Sequence, residues 1–471
     1  MVTVRFVSDC GRFFYKEEKL KTRKEINLIE GSVFKGLLLF VLPIIAGSLI
    51  QQLYLAADAV IVGQFAGKTG LAAIDSVHTL FKFPLNFMSG LSAGATIVIS
   101  GYFGAKQYND LKCSARTAYT LAVILGVICS VAGVLATPQL LELMDVPLDI
   151  RPMTAIYCRI YFGGIWSMVL YNMAAGVLRA LGDSKNPLYI LMVCSVVNIA
   201  GDLLLVGVFD MGVGGAAAAT VLAQIVSAAC ALFLMIRTVH GVADSHLLKP
   251  HYCNIHMVQM VKKGMPLALQ GILFPIANSI VQASVNGMGT DAIAAWSICG
   301  KLDMLIWLIA DAMGPAMTTY TAQNLGAGHR NRVKKGVFAG GGIAVFSIAL
   351  ISAVLYVGTP VLGSLFIAKA DAAAIVPIAA HYMKLMAPFY VFYGIYEICS
   401  GTCCGMGDTV HPMILTLICT CLLRVLAIWF ILPRFESMEC IIGIYIISWI
   451  ASGTAFTIMY LTKSRRGLAN D

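Results

Sequence analysis

The chain has 471 residues, of which 59% are hydrophobic and only 12% charged, and its mean hydropathy is +0.83. Soluble domains carry about 25% charged residues. The composition therefore excludes a disordered chain, a nucleic-acid-binding tail protein and an ordinary cytosolic enzyme, and points to a chain whose solvent is mostly lipid. The net charge of +9 is informative by position rather than as a sum. Fourteen cysteines would suggest a disulfide scaffold only in a short secreted chain. Most of them, such as Cys129, Cys194, Cys230 and Cys419, lie in apolar runs and read as small packing residues. No pair has zinc-ligand spacing backed by histidines, so no metal site is expected.

Residues 1–36 carry Arg5, Arg12, Lys16, Lys19, Lys21, Arg23, Lys24 and Lys35 and lead into a full-length apolar run. That is not the pattern of a cleavable signal peptide. The segment is expected on the cytoplasmic surface as a short interfacial helix. A spanning helix needs about 20 mostly apolar residues. Twelve such runs follow: 37–62, 74–101, 117–137, 153–178, 187–208, 213–236, 264–286, 293–320, 336–358, 375–400, 412–432 and 440–462. With the N-terminus inside, the cytoplasmic segments hold 24 of the 33 Lys and Arg, and the outer loops hold four: Lys68, Arg151, Lys369 and Arg434. This asymmetry orients the spans and puts both termini in the cytoplasm.

The polar stretch 237–263 divides the chain into six spans plus six. Pro43 opens span 1 and Pro266 span 7. GYFGAKQYNDLK (101–112) matches QNLGAGHRNRVK (323–334), GVLRALGDSKNP (176–187) matches GTCCGMGDTVHP (401–412), and Arg159 falls on Lys384. The expected architecture is all-α and integral to the membrane. Twelve transmembrane helices form two six-helix lobes related by a pseudo-two-fold axis along the membrane normal. The boundaries are 1–36 for the N-terminal segment, 37–236 for the N-lobe, 237–263 for a cytoplasmic linker, 264–462 for the C-lobe and 463–471 for a cytoplasmic tail. Such repeats place a cavity at their interface, which rocking can open to alternate sides. A duplicated single chain with its own interface leans towards a transporter acting as a monomer.

A charge at the bilayer centre costs about 2.5–3.5 kcal/mol on insertion scales, so acids inside the spans need a reason. Asp58 in span 1 shares a stripe with Gln51 and Tyr54, and Asp202 in span 5 lies one turn from Asn198. Thr220 in span 6 comes near the same outer level, and Asn172 in span 4 is deeper. Two acids in one dry site make a proton switch near neutral pH available. The same carboxylates with Asn and Thr oxygens would also suit sodium. The expected coupling site is Asp58 and Asp202 joined through Asn198 and flanked by Tyr54, Asn172 and Thr220. Candidates for the substrate cavity are Gln51, Gln270, Asn278, Asp303, Asp311 and Glu397, the last at the repeat position of Asn172. Arg159 and Lys384 read as side chains that snorkel to the outer interface.

GVGGAA (212–217) fits a dinucleotide-binding pattern, but it follows a membrane helix and lacks the βαβ context. It reads as an outer turn entering a helix of small residues. The pairs Gly90/Gly94 and Gly336/Gly340 suit close helix approach inside a lobe. No phosphate-binding glycine loop with Lys and Ser/Thr is present, so ATP is not the expected energy source, and no cofactor is expected beyond a coupling ion. No set of nucleophile, base and orienting group supports an enzyme.

The stretches LPIIAGSLIQQLYLAADAVIVGQFAG (42–67), GATIVISGYFGAK (94–106), NMAAGVLRALGDSKNP (172–187), VVNIAGDLLLV (196–206), GAAAATVLAQ (215–224) and QNLGAG (323–328) resemble the multidrug and toxic compound extrusion (MATE) family. The resemblance extends from about Gly31 to Lys463 and is nearest to the DinF-like branch. Asp58, Asn172, Asn198, Asp202 and Thr220 match positions which that branch uses in its N-terminal lobe. The resemblance implies an antiporter of the plasma (inner) membrane that expels organic, often cationic, compounds in exchange for protons or sodium ions. The NorM-like branch uses a Glu in span 7 and an Asp in span 10. Here span 7 has no acid and span 10 offers only Glu397. The competing readings are a flippase for a lipid-linked or amphiphilic precursor and, from a different class, an intramembrane enzyme or receptor. Small organic molecules and lipid are the expected partners; nucleic acid is not.

Overall fold

The computed structural model describes residues 27–243 and 253–467. Among the described residues the secondary structure is all helical, joined by short turns. Six helices form the first half: α1 (Val33–Phe65), α2 (Gly67–Gly104), α3 (Tyr108–Leu143), α4 (Arg151–Ala180), α5 (Lys185–Asp202, continued by a π turn over Leu203–Val208) and α6 (Gly212–Ala243). The second half begins with α7 (Asn254–Asn286). Its eighth span is a bent pair, α8 (Thr290–Leu302) and α9 (Met304–Gly326), meeting at 46°. Then come α10 (Arg330–Gly363) and a tenth span made of α11 (Lys369–Met386), a 3-10 turn and α12 (Tyr390–Gly405). The eleventh is α13 (Val410–Thr416), a π turn over Leu417–Leu422 and α14 (Leu423–Phe430). After the short α15 (Leu432–Phe435), α16 (Met438–Gly467) is the last. Counting the bent pair once gives twelve spans. Large apolar side chains such as Leu135, Val196, Phe338 and Val357 stay exposed on the outside. Lipid accepts these faces as readily as a protein core would, whereas all backbone polar groups must bond internally, which the helix achieves.

The helices run well past the apolar runs that identify them. The stretch expected as a linker, 237–263, is helical at both described ends, because α6 continues to Ala243 and α7 starts at Asn254. Residues 1–26, where the interfacial helix was expected, lie outside the described residues, as do 244–252. Residues 27–32 do not form a helix. They dock on the other half of the chain: Arg332 Nη1 donates to the Gly31 carbonyl at 3.0 Å, Asn324 Nδ2 donates to the Leu28 carbonyl at 3.1 Å, and the Leu28 side chain is buried.

Turn geometry repeats along with the sequence. Gly182 and Gly407 take φ of 87° and 89°, a region in which a Cβ is strained. Each is followed by an aspartate whose Oδ1 accepts from a backbone N–H three residues on: Asn186 N to Asp183 at 3.0 Å and His411 N to Asp408 at 3.3 Å. These two turns lie at one end of the molecule, the base, together with the α2–α3 and α9–α10 turns. The opposite end, the rim, carries the connections near residues 66, 145–150, 209–211 and 287–289.

The two halves press together at the base. A Cβ on Gly104 would lie 2.0 Å from the Gln323 carbonyl oxygen, and one on Gly326 would lie 2.2 Å from that of Gly101. Gln323 Nε2 donates to the Ala180 carbonyl at 2.8 Å. Gly94 and Gly90 sit against the backbones of Gly264 and Ala268, where a Cβ would come within 2.4 and 2.3 Å. This corrects the reading of Gly90/Gly94 as a contact inside one lobe. The pair joins α2 to α7 across the halves, because only bare backbone lets those two helices approach so closely. Gly336 and Gly340 do pack inside their own half, on Tyr320 and Met317.

Candidate functional site

In the first half, α1 packs on α5, where a Cβ on Gly47 would lie 3.1 Å from Leu191. This packing sets Asp58 opposite Asp202. Asp202 is the last residue of α5 before the π turn, and it is fully buried. The two carboxyl groups lie close enough to interact electrostatically. When both are ionised, neither can donate. Correspondingly, Asp58 Oδ1 and both Asp202 oxygens meet no donor among the described residues. Burying an unpaired carboxylate is expensive, far more so than burying a neutral polar group. The pocket is electrostatically complete only with a proton or a cation.

Asn198 does not bridge the two acids as expected. Its Nδ2 donates to Thr220 Oγ1 at 3.4 Å, and its Oδ1 has no partner. Thr220 in turn donates to the Ala216 carbonyl at 3.0 Å. Asn172 is not drawn into the pocket either. Its Nδ2 is used within α4 on the Met168 carbonyl at 2.9 Å, and its own carbonyl accepts from Ser92 Oγ at 2.9 Å. Tyr54 lies within electrostatic reach of Asp58, and Gln51 lines neither of the cavities described below. The sequence reading missed the wall opposite: Tyr157 and Tyr161 are one turn apart on α4, with Phe81 against Tyr161 at 4.0 Å between ring centroids. Both tyrosines are within electrostatic reach of Asp58. The Tyr-x-x-x-Tyr spacing was the available signal.

Two cavities of about 430 Å³ each occupy the second half and the interface. The interface cavity is lined from the first half by Asn86, Ser92 and Arg179, and from the second by Gln270, Asp311 and Glu397. The other lies inside the second half, with Asn278, Asp303, Asp311, Trp307 and Arg424 on its walls. Asp311 therefore opens onto both. Asp303 sits at the break between α8 and α9, so the bend aims its carboxylate inward. Tyr390 donates to Asp303 at 3.0 Å and Tyr393 to Asp311 at 3.4 Å. Glu397 lies within electrostatic reach of Asp311 and Tyr393. Gly314 leaves room for that side chain, since a Cβ there would lie 2.4 Å from Glu397 Oε2. Gln270 Nε2 donates to the Tyr396 hydroxyl at 3.3 Å. The predicted acid stripe on span 8 thus meets a tyrosine ladder on span 10 that the sequence reading passed over.

Arg424, inside the eleventh span, carries a charge within the membrane region. It is 2% exposed. Its Nε donates to Ser448 at 2.9 Å, its Nη1 to Asn278 Oδ1 at 3.0 Å, and its guanidinium lies 4.2 Å from the Tyr445 ring centre. Asn278 is therefore engaged in holding a cation, though it still lines the cavity. Arg159 and Lys384 are exposed, as side chains that snorkel would be.

Residues 43–204 and 266–430 each match the MatE family model. The probable multidrug resistance protein YpnP of Bacillus subtilis is 30% identical over 402 residues, covering 85% of this chain and 89% of that protein. The probable multidrug resistance protein YoeA of the same organism is 27% identical over 94% of this chain and 95% of that one. A solved MOP superfamily transporter from Pyrococcus furiosus superposes with a TM-score of 0.86 at 21% identity, over 94% of this chain and 98% of that chain.

Proposed function

We propose a coupled export function for this chain, which belongs to the MatE family of membrane transporters: it moves amphipathic organic cations out of the cell in exchange for protons, by alternating access. The observation that carries the coupling half of the reading is the Asp58–Asp202 pair, buried without a donor. The proton is the simpler driving ion, because one hydrogen can join two facing carboxyl groups; the four unpartnered oxygens of Asp58, Asn198 and Asp202 would also suit sodium, so the imposed gradient decides between them. The same residues support placing the chain in the DinF-like branch.

With the Lys- and Arg-rich loops in the cytoplasm, the sealed base is the cytoplasmic end and the cavities open towards the outside. Protonation neutralises the N-lobe pocket and favours one packing of α1, while bound substrate favours the other. Each ligand then promotes release of its competitor, and only such differential affinity for two states can drive exchange. Asp311 and Glu397 supply the negative charge facing an organic cation, and the tyrosines supply an apolar wall with a polar edge.

Arg179 and Arg424 on the cavity walls favour a second reading, a flippase for an anionic amphiphile. A competition series matched in size and hydrophobicity separates the two, because cations compete on the first reading and anions on the second. The primary test uses purified protein in proteoliposomes under an imposed proton or sodium gradient. A proton gradient should drive dye movement, and Asp58→Asn should reduce it to the gradient-free background while dye binding persists. Driven transport at wild-type rates in both Asp58→Asn and Asp202→Asn would remove the N-lobe site from the mechanism. Transport driven by sodium alone would reassign the ion.

A further inference from the structure

Outside both cavities, the base holds a cluster that no part of the transport reading uses. Cys113 projects from the second turn of α3. Cys253 caps α7, and His256 lies in the first turn of that helix. One ligand atom from each of the three lies within 4.8 Å of the other two. His256 is 5% exposed. Its Nδ1 is 3.3 Å from the Tyr102 hydroxyl, which itself donates to Gln259 Oε1 at 3.2 Å. Because that hydroxyl spends its proton on Gln259, it accepts from Nδ1–H. This fixes the imidazole with its lone pair on Nε2, the arrangement in which a metal-binding histidine is held by its second nitrogen. Asp110 Oδ1 lies 3.6 Å from Nε2, at the edge of the three-residue cluster. No metal site was expected from the sequence, because no cysteine pair has zinc-ligand spacing backed by histidines; Cys113 lies 140 positions before Cys253 and joins it only when α3 lies beside α7.

We propose that Cys113, Cys253 and His256, completed by Asp110 or water, bind a thiophilic divalent cation of the zinc type, and that the bound metal holds the base shut. Two thiolates, one imidazole and one oxygen match zinc in ligand type and number. Binding releases the thiol protons to solvent, and the resulting metal–sulfur bonds tie α3 of the first half to α7 of the second. Those two helices must separate for the base to open. A metal across them therefore favours the sealed-base arrangement and slows the transport cycle. The inhibitory part rests on the transport reading, whereas the metal site does not.

The test uses full-length protein in which every cysteine except Cys113 and Cys253 is replaced, in a background that still transports dye. Cobalt(II) titration should show one equivalent bound, with a thiolate-to-cobalt charge-transfer band. The band should be lost in Cys113→Ser and in Cys253→Ser, and His256→Asn should weaken binding about tenfold or more. Zinc should inhibit dye transport, a chelator should reverse the inhibition, and Cys253→Ser should be resistant. Absence of the band in the two-cysteine protein would overturn the site. So would equal binding after Cys113→Ser, or a Cys113–Cys253 disulfide whose reduction confers no metal uptake. One tightly bound equivalent with unchanged transport would overturn the clamp while leaving the site in place.

Discussion

The pockets between α1 and α5 and between α7 and the eleventh span occupy matching places in the two repeats, yet they solve opposite electrostatic problems. In the first, two carboxyl groups meet with no cation and no donor. In the second, one guanidinium is held by Asn278, Ser448 and the Tyr445 ring, and no acid pairs with it among the described residues. The guanidinium there is satisfied as it stands, because each of its hydrogen bonds joins a donor to an acceptor, although Trp449 Nε1 on the same wall has no partner among the described residues. The first is satisfied only when it captures positive charge. A site that must bind and release an ion every cycle has to be incomplete without it; a site that holds a scaffold or faces a substrate does not. On the proposed function, the repeated fold divides the work, with coupling in one half and scaffold and substrate contacts in the other.

The sharpest way to break this comparison is a pair of matched substitutions. Asp202→Asn should abolish gradient-driven export entirely. Asp311→Asn, in the other half, should leave export coupled and weaken dye affinity roughly tenfold, the worth of about 1.4 kcal/mol. Both are read in proteoliposomes from the dependence of the rate on gradient and dye concentration. Loss of coupling in Asp311→Asn would place a driving-ion site in the second half as well.

The next largest effect concerns the state in which the halves are caught. Adding a Cβ at Gly104, which the Gln323 carbonyl blocks at 2.0 Å, should prise the base apart. Overpacking costs about 1–3 kcal/mol, enough to shift the equilibrium roughly tenfold. A cysteine at Gln270 should then be labelled more slowly from the rim side in Gly104→Ala than in its parent. Unchanged labelling would mean that the seal does not govern access.

Arg424→Leu tests whether the second pocket is scaffold. It strands the Asn278 oxygen and should lower stability by about 2–3 kcal/mol, visible in thermal unfolding followed by tryptophan fluorescence. The coupling ratio should be unaffected in protein that remains folded. The smallest effect is expected from Tyr393→Phe, which removes the hydroxyl that donates to Asp311. A loss of about 1 kcal/mol would reduce dye affinity several-fold without touching proton dependence.

Sequence alone determined the membrane class, the twelve spans and the doubled pattern, because lipid imposes a length and a hydropathy on each helix that survive without tertiary context. It also singled out Asp58 and Asp202, since an intramembrane acid is costly wherever the chain folds. Which acid faces which partner was decided only by helix packing. Asn198 turned to Thr220, Asn172 turned to its own helix, and Asp303 landed on a helix break, outcomes that depend on rotation and register between helices and leave no periodicity in one strand of sequence. Gly90 and Gly94 were legible as a close contact, but not as a seal between halves. Arg424 and the Cys113–Cys253–His256 cluster were least legible, because their meaning lies in neighbours 24 to 146 positions away that only the folded bundle brings within bonding distance.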